Sequence, residues 1–220
     1  MRPPRRTIAL ITTAVLSLAL LAGCATADWT TPHEAPAALG VAGAGFFPSS
    51  PPSPEATVNP AAGSWDDVRP SGGMRVVLLT AGTEAPTTTL AAAVKEWADD
   101  EDVDLRTVVA GDNHIDAIVE AMDMKPDLII TVGNDIIDAL ATVTASHLDQ
   151  NFLVLGAEVA EPTYNVTAVD WSGASFRGLG LVASSTFDPA TFTPERSAAA
   201  VRAGVASVLL DQTGVVLWID

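Results

Sequence analysis

Between residues 74 and 220 apolar positions recur as short continuous runs separated by amphipathic stretches. Met74-Arg75-Val76-Val77-Leu78-Leu79-Thr80-Ala81 is a run of the kind that fills a strand covered on both faces. Leu90, Val94 and Trp97 then fall at helical spacing, predicting a helix over 88–100 that ends on the acidic run Asp99-Asp100-Glu101-Asp102. A second strand is predicted over 103–110. The helix predicted over 114–124 turns Ile115, Ile118, Val119 and Met122 inward and stops at Pro126. Strand three covers 127–133, and helix three, carrying Ile136, Leu140 and Val143, covers 135–147.

Strands four and five, over 151–156 and 165–170, are joined by a loop too short for a helix, which is unusual between parallel neighbours. A helix is predicted over 172–185. Another runs over 194–210 with Pro194 in its first turn after Thr193, and a sixth strand covers 214–219. The alternation predicts an α/β fold, a mainly parallel open sheet of about six strands with helices on both faces.

The N-terminal stretch follows another pattern. Arg2, Arg5 and Arg6 precede a mostly apolar run over 8–22, too short to span a bilayer, which closes on Leu21-Ala22-Gly23-Cys24. Residues 1–23 read as a secretory signal. The last four residues resemble the bacterial lipobox, and the resemblance implies diacylglyceryl transfer to the Cys24 thiol and cleavage before it. Cys24 is the sole cysteine, so no disulfide competes for it. Two or more acyl chains would anchor the protein stably at the extracytoplasmic face of the cell membrane. Arg5-Arg6 is followed by Thr7-Ile8-Ala9, a poor match to a twin-arginine signal, which favours the general secretory route.

From 24 to 73 the composition shifts to Pro, Ala, Gly, Ser and Thr, with Pro48, Pro51, Pro52 and Pro54 close together. The expectation is a tether, holding a folded domain of residues 74–220 roughly 40 Å from the bilayer if it behaves as a flexible coil. Trp29, Phe46, Phe47 and Trp65 are uncommon in pure spacers, and part of the segment is expected to pack back. The chain carries 27 acidic against 11 basic residues. Cleavage would leave 197 residues with eight basic side chains and a net charge of −19. No nucleic-acid partner is expected of such a surface.

In open parallel sheets, ligands bind beyond the carboxyl ends of the strands. Those ends carry Gly82-Thr83-Glu84, Gly111-Asp112-Asn113, Gly133-Asn134-Asp135, Gly156-Ala157-Glu158 and Asp170-Trp171-Ser172. Candidate ligand-binding residues are therefore Thr83, Glu84, Asp112, Asn113, Gly133, Asn134, Asp135, Asp170 and Trp171, with Trp171 available to stack on a planar solute. Asp112, Asn113, Asp135 and Ser172 are also residue types that cap helices, which is the more frequent role. For Trp171, packing in a core or an interface is the more frequent role.

Residues 126–133, then Asp138-Ala139-Leu140 and Asn151-Phe152-Leu153-Val154-Leu155, resemble the core of type I periplasmic binding proteins. More particularly, with Asn165-Val166, Ala174-Ser175-Phe176 and residues 178–183, the chain is similar to the basic membrane protein family. Those lipoproteins serve as solute receptors for ABC importers, several of them for nucleosides. The resemblance covers about 74–185 and implies one lobe of a type I periplasmic binding protein-like fold, an ABC permease partner and a small polar solute. The family's Ser-Phe-Asn-Asp-like stretch after strand one is replaced by Gly82-Thr83-Glu84-Ala85-Pro86, and Ser172-Gly173-Ala174 stands where an acidic residue is often found. A complete receptor also has two lobes.

Catalysis has little support in the sequence, and no cofactor is expected. Among His33, His114 and His147, only His114 beside Asp112 is placed for chemistry, and no nucleophile elbow, phosphate loop or paired metal-spaced histidines occur. The leading expectation is a lipid-anchored solute-binding-like domain and not an enzyme. The alternative is an interaction or structural module that keeps the lobe without the solute, with an anchored enzyme or sensor third.

Overall fold

The computed structural model describes residues 28–174 and 176–220. The predicted signal sequence and Cys24 lie outside them. Among the described residues the strands are β1 (Ala38–Leu39), β2 (Thr57–Val58), β3 (Arg69–Pro70), β4 (Arg75–Thr80), β5 (Asp104–Val109), β6 (Leu128–Val132), β7 (Phe152–Leu155), β8 (Val166–Asp170) and β9 (Val216–Trp218). The α-helices among the same residues are α1 (Ala85–Asp100), α2 (His114–Asp123), α3 (Ile137–Val143) and α4 (Pro194–Leu209). Seven strands form one sheet in the order β2-β9-β8-β7-β6-β4-β5, and every pairing in it is parallel. The six strands predicted from apolar runs are all in this sheet.

The alternation of each strand divides the core. Val76 and Leu78 of β4 face a cluster that holds α1 and α4, whereas Val77 and Leu79 face one that holds α2 and α3. Both faces are therefore covered, as the unbroken apolar runs require. α1 starts at Ala85, three residues before the periodicity predicts, with Pro86 in its first turn. On α2 the buried residues are Ala117, Ile118 and Ala121; Ile115 and Val119 are exposed, contrary to expectation. Ala117, Ile118 and Ala121 form one stripe of the helix toward the sheet, which leaves Ile115 and Val119 on the solvent side. Helix three is shorter than predicted, with 3₁₀ turns at Asn134–Ile136 and Thr144–Ser146 on either side of α3.

The region expected to be a tether is, from residue 28 onward, part of the folded body. β2 adds an edge strand beside β9, β1 and β3 pair antiparallel, and Trp29, Phe46, Val58, Trp65 and Val68 are buried. Phe46 packs on Phe47 at 4.3 Å and on the Trp65 edge at 6.4 Å. The proline and glycine content forbids helix but not a loop folded around large aromatic anchors, whose burial offsets the ordering cost.

No helix forms among the described residues of 172–185, in contrast to the expectation. Gly173, Gly178 and Gly180 adopt φ of 108°, 119° and 77°, values incompatible with a continuous right-handed helix. The segment is tied down instead, with Phe176 bridged to Ala157, the Gly173 amide donating to Ser185 Oγ at 2.8 Å, and the Asp188 amide to the Gly173 carbonyl at 2.7 Å.

This irregular segment exists because of the crossover it makes. The connections through α2, α3 and the helix-free stretch holding Ala157 and Val159 all pass over one face. α4 lies on the other face, beside α1, although β9 continues the direction of strand addition. The last crossover therefore has the opposite hand to those of α2 and α3, a rare arrangement in parallel sheets. The chain reaches the far face by passing over the carboxyl ends of the strands, from Phe176 on the α3 side to Phe192 on the α1 side.

Candidate functional site

A cleft of ≈ 260 Å³ opens at the carboxyl ends of β4, β6 and β7, where the strand order reverses direction between β4 and β6. Open parallel sheets place ligands at such reversals because the connecting helices depart to opposite faces there and leave a gap. One wall is the start of α1, with Glu84, Pro86, Thr87 and Leu90; the other is Gly133-Asn134-Asp135 with Leu155 and Gly156. Phe187 and Phe192, brought by the reversed crossover, close the side.

Two glycines make the floor possible. Gly133 has φ 105°, and a Cβ on it would lie 1.8 Å from the Ala81 carbonyl oxygen, so the ends of β4 and β6 can approach only without a side chain. At Gly156, φ 72°, a Cβ would meet Phe192 at 2.7 Å and Leu90 at 3.1 Å.

Four of the residues expected at the site, Glu84, Gly133, Asn134 and Asp135, line this cleft. The Glu84 side chain makes no capping bond to α1 and turns over Gly82, where Asp135 also approaches; a Gly82 Cβ would meet their oxygens at 2.3 and 3.5 Å. Two carboxylates thus share the rim. With apolar walls behind them, they suit a small solute that offers hydroxyl or amino donors on one edge and an apolar face on the other.

The other expected residues are placed elsewhere. Thr83 is exposed beside the cleft and does not line it. Asn113 caps α2, accepting from the Asp116 amide at 3.4 Å and donating to its carboxylate at 2.6 Å, and Asp112 is exposed next to it. Asp170 is fully buried, its Oδ1 accepting from the Trp171 amide at 2.9 Å. Trp171 is also fully buried, donating from its indole N–H to Thr191 Oγ1 at 3.0 Å and meeting the Phe192 ring edge-on at 5.0 Å. With no exposed face, Trp171 supports the cleft from behind and does not present a ring to a solute.

Pro86, Thr87, Leu90, Leu155, Phe187 and Phe192 were not foreseen. Phe187 and Phe192 fall between the two stretches read as helix, 172–185 and 194–210, and nothing local in the sequence announces a crossover of reversed hand. Gly156, read in the sequence as a glycine closing a buried strand, lines the cleft.

The irregular segment is further held by Glu158, a largely buried carboxylate. Ser184 Oγ donates to it at 2.6 Å, and Arg177 Nε lies 3.0 Å away, a charge pairing without well-aligned hydrogen-bond geometry. Among the described residues no group of three or more His, Cys, Asp or Glu is placed to hold a metal ion.

No protein-family model matches the chain, and no curated protein does. Solved structures do resemble it. A solute-binding protein of an ABC transporter system from Aeropyrum pernix K1 aligns at 18% identity and a TM-score of 0.39, over 45% of this chain and 29% of that one. A chain described as a lipoprotein fragment from Peptoclostridium difficile 630 aligns at 17% and 0.45, over 62% of this chain and 98% of that one. A transcriptional activator from Bacillus halodurans aligns at 18% and 0.40, over 67% and 54%. The chain spans less than a third of the length of the Aeropyrum protein. At these identities and scores the likenesses assign no ligand or activity, and the α/β fold stands on the sheet order itself.

Proposed function

We propose that this chain is an extracytoplasmic, lipid-anchored solute-binding-like domain, held at the membrane through Cys24 and serving as a receptor component for an ABC permease. The observation that carries the proposal is the cleft at the strand-order reversal, floored by Gly133 and Gly156 and rimmed by Glu84 and Asp135. Its volume suits a single small ring or a short polar chain, smaller than most drug-sized sites. A nucleoside base or sugar with donors toward the carboxylates fits that chemistry. The residues of the cleft offer binding groups without a nucleophile and base in contact, which favours capture over turnover. Thermal-shift measurement against nucleosides, sugars and amino acids tests the reading. A raised melting temperature with one class, abolished by Glu84→Gln with Asp135→Asn, supports it; no response from any compound removes it.

One observation favours the second reading, an interaction module without a solute. Leu179 and Val182 are 81% and 85% exposed on the segment beside the cleft, and Phe187 is half exposed at its mouth. Such a cluster is unusual on a monomeric surface. If Leu179→Ser with Val182→Ser abolishes co-purification with a membrane protein while no solute raises the melting temperature, this reading replaces the first.

A further inference from the structure

The first described residues are clamped at the pole of the sheet opposite the cleft. Arg75, at the start of β4, donates from its guanidinium to the main-chain carbonyls of Trp29 at 3.2 Å, Thr31 at 3.1 Å and Asp28 at 3.4 Å. The Trp29 indole N–H donates to Asp104 at the start of β5 at 2.6 Å. His33 Nε2 lies 2.9 Å from Asp127, just before β6, and the same carboxylate accepts from the Arg75 amide at 2.8 Å. The Arg106 guanidinium covers the Trp29 ring at 4.1 Å. Every strand in the sheet is parallel, so these three strand starts define one pole and the cleft defines the other.

Only Ala25, Thr26 and Ala27 separate Cys24 from Asp28. Four residue steps span at most about 14 Å however the chain runs. β4 alone is longer, about 17 Å for six residues, and the cleft lies beyond its end. A lipid on Cys24 therefore cannot reach the cleft pole. We infer that the strand-start pole, with the Asp28–His33 strap, Asp123, Lys125 and Asp149, is the surface that faces the lipid head groups, and that the cleft and the apolar 178–187 segment face away from the bilayer.

The inference rests on the proposed lipidation of Cys24. Three residues, and not the long tether read from composition, separate the proposed lipid from the strap, and Leu179 and Val182 then face away from the bilayer. The ligand or partner of the cleft then arrives from the outer side.

The test uses the full-length lipidated protein reconstituted in phosphatidylcholine–phosphatidylglycerol vesicles bearing a nitroxide on the head group. Single Asp123→Cys, Asp149→Cys and Asp112→Cys variants carry a fluorophore; Cys24, its thiol alkylated by lipid, does not compete. Asp112 and Asp123 flank α2 at opposite ends, about 15 Å apart along its axis. The expected result is quenching at Asp123→Cys and Asp149→Cys at least about twofold stronger than at Asp112→Cys. Equal or reversed quenching on a protein whose mass shows acylated Cys24 overturns the orientation alone. Absence of acyl mass on Cys24 overturns the anchoring reading and the orientation with it. Should Asp123→Cys fail to fold, Asp149→Cys against Asp112→Cys gives the same comparison.

Discussion

The indole N–H of Trp29 donates to the carboxylate of Asp104 at 2.6 Å across 75 residues of sequence, fastening the start of the described chain to the first residue of β5. A segment whose composition resembles a spacer is thereby built into the core, between α2 and the arginines Arg75 and Arg106.

Trp29→Ala is expected to cost about 3–5 kcal/mol, the range for truncating a buried aromatic. Arg75→Ala, which strips one donor group from three carbonyls, is expected to cost about 2–3 kcal/mol. Urea denaturation measures both. Early proteolytic cleavage within 28–36 in either variant, with the remainder protected, would show the strap released before the sheet.

The strap is also sensitive to acid. The Asp28 carboxyl is held below its ordinary value near 3.8, first by the Thr30 hydroxyl at 2.7 Å, then by the Thr30 amide at 3.0 Å, with Arg75 and Arg106 adding a smaller attraction. A lowered folded-state value means that its contribution is complete above the unfolded value and lost as pH falls through the folded one. Strap protection in hydrogen exchange is therefore expected to hold at neutral pH and weaken only below about pH 4. Thr30→Ala is expected to raise the Asp28 titration midpoint measured by NMR, and an unchanged midpoint counts against the Thr30 bonds.

Gly133→Ala is expected to be among the most damaging single-methyl changes available. It forces a Cβ to within 1.8 Å of the Ala81 carbonyl at a φ of 105°, so β4 and β6 must separate. A loss above about 2 kcal/mol is expected. Gly72→Ala, with open space around its Cβ, is the matched control and should leave the unfolding midpoint unchanged.

Phe187 and Phe192 separate binding from folding. Phe187→Ala removes a half-exposed ring at the cleft mouth and is expected to change stability by less than about 0.5 kcal/mol while reducing any solute-induced thermal shift. Phe192→Ala empties a buried position against Trp171 and is expected to cost about 3 kcal/mol or more. Equal stability losses in the two variants would place Phe187 in the core.

Asn165 closes the chain behind α3. Its buried amide donates to the carbonyls of Thr144 at 3.3 Å, His147 at 3.0 Å and Gln150 at 2.9 Å, and its carbonyl accepts from the Thr163 hydroxyl at 2.6 Å. Asn165→Ala is expected to cost about 2–3 kcal/mol, and Asn165→Asp more, since it places a carboxylate against the same three carbonyls. Thermal denaturation of the pair checks the order.

The strands β4, β6 and β7 were legible because a sheet covered on both faces demands unbroken apolar runs, and little else in a sequence produces them. α1 was legible from its periodicity, three residues short at its start, and α4 from its periodicity and Pro194. The face of α2 was not, because Ala117 and Ala121 carry a weaker hydrophobic signal than Ile115 and Val119 yet pack closer. Glu84, Gly133, Asn134 and Asp135 could be named in advance since each follows a strand end at the reversal, whereas Trp171 follows one and is buried by Phe192, a residue its local sequence does not reveal.

By itself the sequence determined the α/β class, which follows from local pattern, and placed Glu84, Gly133, Asn134 and Asp135 at strand ends. Tertiary structure decided that residues 28–73 are domain and not tether, because Trp29, Phe46 and Trp65 find partners that lie far off in the chain. It also decided the hand of the last crossover, and with it which aromatic rings wall the cleft. Contacts between distant segments set both, and no local preference encodes them.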